Sequence, residues 1–252
     1  MKTLLLSAVF GVLFFLAPIL VEAQPKPPEP PKKPEATLDL NKTANSSTPL
    51  QIVVLLTLLS FIPAILISMT CFTRLIVVFH FLRQALGTQE APNNQVLLGL
   101  ALFITIFVMS PTLKEVYDGA YKPMSDGEIT QGEALEKGLV PLRAYMIKHT
   151  REKDLALFLS LSKSARPNSA DDVPTTALIP AYMISELKTA FQIGFVLFLP
   201  FLVIDLAVSS VLLSMGMMQL PPVIVSMPLK ILLFVMVDGW YLIVGSLIKS
   251  VM

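Results

Sequence analysis

FQIGFVLFLPFLVIDLAVSSVLLSMGMMQLPPVIVSMPL, from Phe191 to Leu229, carries one charged residue, Asp205. Two long apolar runs flank a turn rich in methionine and marked by Gly216, Pro221 and Pro222. Each run holds one ionisable group at depth, Asp205 on the way in and Lys230 on the way out. An ionised side chain at mid-membrane costs roughly 2.5–3.5 kcal/mol on insertion scales, so such groups are rare and usually functional. The pattern predicts a membrane-associated helical hairpin, and function is to be sought there.

The remainder agrees with an apolar, helical chain. Of 252 residues 54% are apolar and 15% charged, against about 25% charged in soluble domains; the mean hydropathy is +0.70. A net charge of +1 gives no basic face for nucleic acid. The lone Cys71 excludes an internal disulfide framework and any cysteine-based zinc cluster. It sits in an apolar run and reads as a small buried hydrophobe.

Residues 1–23 have the order of a cleavable signal peptide: Lys2, an apolar core from Leu4 to Leu20, then Val21-Glu22-Ala23. An uncleaved first transmembrane helix is the competing reading. Residues 24–49 are dense in proline, which favours extended polyproline II, and hold almost no large apolar residues. They are expected to be a disordered tether. Residues 50–111 read as a first helical hairpin: an uncharged run from Leu50 to Thr73 with a kink at Pro63, an apolar helix carrying Arg74, His80 and Arg83, a turn over Gly87 to Asn94, and a return from Val96 ending at Ser110-Pro111. The wide spacing of those cations suits an interfacial helix whose charged tips reach the headgroups.

Residues 112–179 alternate charges of both signs and predict a small polar insert of short helices. Thr130 and Glu133 have capping-box spacing, Pro141 suits a first helical turn running to about His149, and Glu152 to Leu161 forms another segment. Residues 180–252 make the second hairpin, with Pro180 in its first turn. With the amino terminus outside, the insert lies outside and both turns face the cytoplasm. Arg74 and Arg83 obey the positive-inside tendency, but the second turn carries no Lys or Arg. That mismatch points to hairpins packed mainly against other subunits.

Chemistry is not signalled. There is no Gly-rich phosphate loop, H-E-x-x-H, C-x-x-C or G-x-S-x-G, so neither an enzyme nor a cofactor is expected. Counting from Gln219, Asp205 lies fourteen residues before the turn centre and Lys230 eleven after it, a depth difference of about 4–5 Å at 1.5 Å per residue. An ion pair within the hairpin or between subunits is feasible; a snorkelling Lys230 with a neutral Asp205 is the plainer alternative. A proton site at Asp205, in an ion-coupled transporter, would need further ionisable groups along a path, and this hairpin offers few.

PAYMISELKTAF (Pro180–Phe191), PFLVIDL (Pro200–Leu206), GMM followed by Pro221-Pro222, and PLKILLFVMVDGW (Pro228–Trp240) resemble the FliP family. TRLIVVFHFLRQALGTQ and NNQVLLGLALFITIFVMSP resemble its first hairpin. The resemblance covers roughly residues 50–250 and is weakest in the insert. It implies an all-α membrane protein of the bacterial inner membrane and flagellar basal body, with a large extracytoplasmic portion. Members assemble as a homo-oligomer, five copies in the usual arrangement, with FliQ-like and FliR-like subunits and larger export-gate and basal-body proteins. The resulting pore passes unfolded substrates of the flagellar type III export gate. The related injectisome gate is the nearest alternative, the leader favouring the flagellar branch.

The family's pore constriction maps onto Met217 and Met218, with Met215 just before; Gln219 stands where a third methionine is commoner. Its intersubunit charges map onto Glu186, Asp205 and Lys230, and onto Arg151. The leader is expected to be removed after Ala23, leaving Gln24 first. Amino-terminal sequencing of purified protein checks this, and recovery of Met1 in membrane-assembled protein refutes it.

Overall fold

The computed structural model describes residues 48–252 apart from 89, 163–168, 170, 171 and 218. The expected leader and nearly all of the tether lie outside the described residues. Those described form helices and no strands. In chain order they are α1 (Thr48–Met69), α2 (Phe72–Leu86), α3 (Asn94–Val116), a π-turn (Tyr117–Tyr121), α4 (Lys122–Ser125), α5 (Gln131–His149), α6 (Glu152–Leu161), α7 (Thr175–Ser214), α8 (Pro222–Met236) and α9 (Gly239–Val251). One compact unit spans Ile52–Met252.

Asn94–Ser125 and Thr175–Ser214 are long and apolar enough to cross a membrane. Pro63–Met69 with Phe72–Leu86, bent by 82°, and Pro222–Met236 with Gly239–Val251, bent by 66°, qualify as broken spans. At about 1.5 Å per residue α7 is roughly 60 Å long, about twice a hydrocarbon core. The apolar core joins α2, α3, α7 and α9 through Leu75, Val78, Phe79, Leu97, Ala101, Ala190 and Leu247. A second cluster ties the end of α2 to α7 and α8 through Leu82, Ala85, Leu86, Phe201 and Phe234.

Four boundaries differ from those read in the sequence, each for a local reason. The run from Leu50 to Thr73 is not one straight span. It breaks where the Thr70 hydroxyl accepts the Phe72 N–H at 3.3 Å and the Thr73 hydroxyl donates to Ile67 O at 2.6 Å. These side chains replace helical bonds and turn the chain. α3 does not end at Ser110-Pro111. One proline removes a single helical donor, and helical structure runs on to Ser125, stopping at Gly127 with φ +76°. There Gly127 N–H donates to Met124 O and Glu128 N–H to Pro123 O, at 3.2 and 2.9 Å, the paired bonds of a Schellman end.

Pro141 lies inside α5, not in its first turn. The capping box starts that helix earlier: Thr130 Oγ1 accepts the Glu133 N–H, and Glu133 accepts the Thr130 N–H at 2.8 Å. Likewise α7 begins at Thr175 behind Pro174, whose carbonyl accepts the N–H groups of Ala177 and Leu178, so Pro180 falls within the helix.

The insert is fastened to α7 at its far side. The Ser185 hydroxyl donates to Asp154 at 2.7 Å and accepts the Arg151 N–H at 3.0 Å. Met146, Val173, Leu178 and Tyr182 pack beside that contact. Partial burial pushes Asp154 up, but the Ser185 hydroxyl and the Arg151 guanidinium outweigh it and hold the carboxyl below its ordinary value.

α2 and α7 approach closely because Gly194 lacks a side chain. A Cβ there would lie 2.5 Å from Cδ2 and 3.1 Å from Cβ of Phe81. Gly194→Ala is therefore expected to destabilise the protein by about 1–3 kcal/mol, the usual cost of overpacking. Thermal denaturation in detergent measures it, and Phe81→Ala in the same chain should recover part of the loss. An unchanged melting temperature for Gly194→Ala refutes the close approach.

Candidate functional site: buried charges and the methionine turn

Two cations enter the apolar core, and each meets a carboxylate of α7. Arg74, in the first turn of α2, lies 3% exposed against a fully buried Glu186. Its Nε donates to Glu186 Oε2 at 2.8 Å and Nη2 donates to Oε1, a bidentate pair. Nη1 donates to Ser250 O at 2.5 Å, in the last turn of α9. The residue read as interfacial is therefore a core clamp. The legible sign of it was an Arg followed by an uninterrupted apolar stretch, with no acid on its own helix to answer it.

Lys230, on α8, repeats the scheme at the other end of α7. Its Nζ donates to Asp205 Oδ2 at 2.6 Å and to Ala85 O of α2 at 3.1 Å. The Ser226 hydroxyl donates to Asp205 Oδ1 at 2.5 Å. Lys230 is 4% accessible at its side chain and Asp205 28%, so the pair is open only on the carboxylate side. Sequence reasoning picked out Asp205, Lys230 and Glu186. It missed Arg74, Ser226 and the Ala85 carbonyl, because no periodicity announces a serine or a backbone oxygen as partner.

Arg151 stands apart from both pairs. It precedes α6 and pairs with Asp154 three residues on, at 2.5 Å. Its guanidinium is about one-third accessible, so this short-range pair contributes far less than the buried ones. His149 stacks near Tyr145 with ring centroids 4.6 Å apart. Burial, with the positive charge of Arg74 and Lys148, pushes its imidazole down to about 4. Among the described residues no cluster of three His, Cys, Asp or Glu could hold a metal ion.

The turn after α7 leaves Met215 and Met217 exposed. Gly216 has φ +74°. Its N–H donates to Leu213 O and the Met217 N–H to Leu212 O, both at 3.0 Å, a Schellman end that needs a left-handed residue. Met215 is 66% and Met217 40% exposed; Met218 lies outside the described residues. Pro221 then precedes Pro222, the first residue of α8, where a missing N–H has no cost. Beneath the turn the exposed surface stays apolar: Leu202, Val203, Leu206, Val211, Ile224 and Leu232 all face outward.

Long apolar helices with outward-facing apolar residues, joined by buried ion pairs, define an integral membrane protein. The FliP family profile matches residues 55–247, and the chain belongs to the FliP family. It is 56% identical to the flagellar biosynthetic protein FliP of Bacillus subtilis (strain 168) over 206 residues, 82% of this chain and 93% of that one. The FliP protein of Pectobacterium carotovorum subsp. carotovorum is 56% identical over 200 residues, 79% of this chain and 78% of the relative. That of Treponema denticola is 40% identical over 268 residues, 99% of this chain and 98% of the relative.

Removing one partner of a buried pair strands the other charge and typically costs about 3–5 kcal/mol. Asp205→Ala and Lys230→Ala should each sharply reduce the yield of folded protein in the membrane. The exchange Asp205→Lys with Lys230→Asp should recover part of it. Normal yield and melting temperature for both alanine variants would show that the pair carries no weight.

Proposed function

We propose that this protein is a structural pore subunit of the flagellar type III protein export gate. Several copies, five on the family pattern, assemble with FliQ-like and FliR-like membrane subunits and larger basal-body proteins. Unfolded flagellar proteins pass through the channel. The complex belongs to the bacterial inner membrane, with the polar insert on the extracytoplasmic side. Family membership and the flagellar name of the relatives support the setting, and favour it over an injectisome gate. Exposed apolar residues on both long hairpins support packing against other subunits.

The observation that carries the pore reading is the methionine turn. Met215 and Met217 stand exposed on a hydrogen-bonded Schellman end. Methionine is unbranched and has a polarizable thioether, so copies meeting on one axis close a hole and deform around varied chains. Leucine would close it with less adaptability. The transporter reading has less support: both Asp205 oxygens are engaged, by Ser226 and Lys230, and a relay needs further ionisable groups along a path, of which the sequence of this hairpin offers few.

Met217→Ala with Met218→Ala should leave assembly intact but make cells leaky to small ions when the complex is overproduced. Gln219 should tolerate replacement better. Unchanged ion conductance in the double variant, with assembly confirmed, would rule out the seal.

A further inference from the structure

The end of α2 is completed partly by its own turn and partly by a side chain of α8. A helix leaves its last carbonyls without intrahelical donors, and here each of three has found one. Arg83 O accepts the Thr88 hydroxyl at 3.3 Å, Gln84 O accepts the Gly87 N–H at 3.1 Å, and Ala85 O accepts Lys230 Nζ at 3.1 Å. Gly87 itself, at φ +76°, lies under Val223 and Met227 of α8; a Cβ on it would meet Val223 Cγ1 at 3.5 Å. The same face of α8 therefore supplies a packing lid at 223 and 227, and polar partners at 226 and 230.

Ser226 is fully buried. A serine within a helix ordinarily gives its single proton to a carbonyl one turn back, and Val223 O is available at 3.2 Å. Asp205 Oδ1 is at 2.5 Å, and a short bond to a charged acceptor is roughly twice as strong as a neutral one. The proton goes to Asp205. That bond fixes the carboxylate plane with Oδ2 turned to Lys230. A carboxylate with one free oxygen could rotate and draw Lys230 off Ala85 O.

We propose that Ser226 is a positioning residue. By holding Asp205 it lets Lys230 serve two partners at once, locking the tip of the first hairpin (the end of α2 and the turn to Asn94) onto α7 and α8 beneath the methionine turn. Its consequence for sealing, a gate loop referenced to the first hairpin, rests on the pore reading above; the lock itself does not.

Hydrogen exchange of the assembled protein in detergent, followed by mass spectrometry, tests the lock without any conductance measurement. Ser226→Ala should speed exchange of residues 86–95 roughly tenfold or more, the scale of one hydrogen bond to a charged group. Ser226→Cys keeps the size but is a poor donor, and should behave like Ala. Ser226→Thr keeps the hydroxyl and should restore protection. In a chain already carrying Asp205→Ala and Lys230→Ala, Ser226→Ala should add nothing. If Cys protects as well as Ser, or if Ser226→Ala leaves residues 86–95 unchanged, the inference fails, and Cys decides should Thr not fit. Intact ion retention after loss of Met217 and Met218 would instead overturn the gate and leave the lock standing.

Discussion

Helices whose outer faces are as apolar as their inner ones cannot be held together by the hydrophobic effect in lipid, because the tails outside are as apolar as the core. What distinguishes inside from outside here is polar: α7 carries two carboxylates, Glu186 and Asp205, and each takes one buried cation. Both cations do the same second job. Arg74 also donates to Ser250 O at the end of α9, and Lys230 to Ala85 O at the end of α2. A helix C-terminus offers unpaired carbonyls and the negative end of the dipole. Each charge is thus satisfied twice over, by a carboxylate and by a helix end. This double satisfaction is what lets a lysine or arginine sit in such surroundings at all.

The scheme also sets register. Apolar side chains slide past one another at small energetic difference, whereas a bidentate guanidinium fits one position only. Asp205 follows Glu186 by nineteen positions on α7, so the two ties fix both ends of a roughly 28 Å stretch of helix. Between them the contact is close, since Gly194 admits the Phe81 ring and Ala190 completes the core.

The helical class was legible because its signals are local: long apolar runs, a capping box at Thr130, a Gly-Met turn before Pro221-Pro222. Asp205 with Lys230 was legible for another reason, being nearly alone in an apolar stretch. Boundaries placed on prolines were misread. Pro111, Pro141 and Pro180 each remove one donor without ending a helix, while Asp126-Gly127, Thr130 and Pro174 set the real limits through bonds on both partners. Arg74 was misread because its partner lies 112 residues away. No spacing rule connects them, and only the packing of α2 on α7 does. Ser226 was overlooked since a helical serine looks neutral until an acceptor stronger than its own backbone stands opposite.

On the pore reading proposed above, compliance at the methionine turn requires rigidity on either side of it. A flexible thioether on a flexible stalk would neither seal nor recover its place. The stalk here is defined at close range by the Schellman bonds of Gly216 and Met217 and by the fixed φ of Pro221 and Pro222. It is defined further down by Ser226, Asp205 and Lys230, which join α7 to α8 before either reaches the turn. Asp205 lies ten residues before Met215, about 15 Å of helix, so the tie sits within three helical turns of the methionines. The charged pair and the methionine turn belong to one structural unit, the hairpin of α7 and α8. On the pore reading proposed above, the buried pair holds the frame and the methionines supply the part that gives.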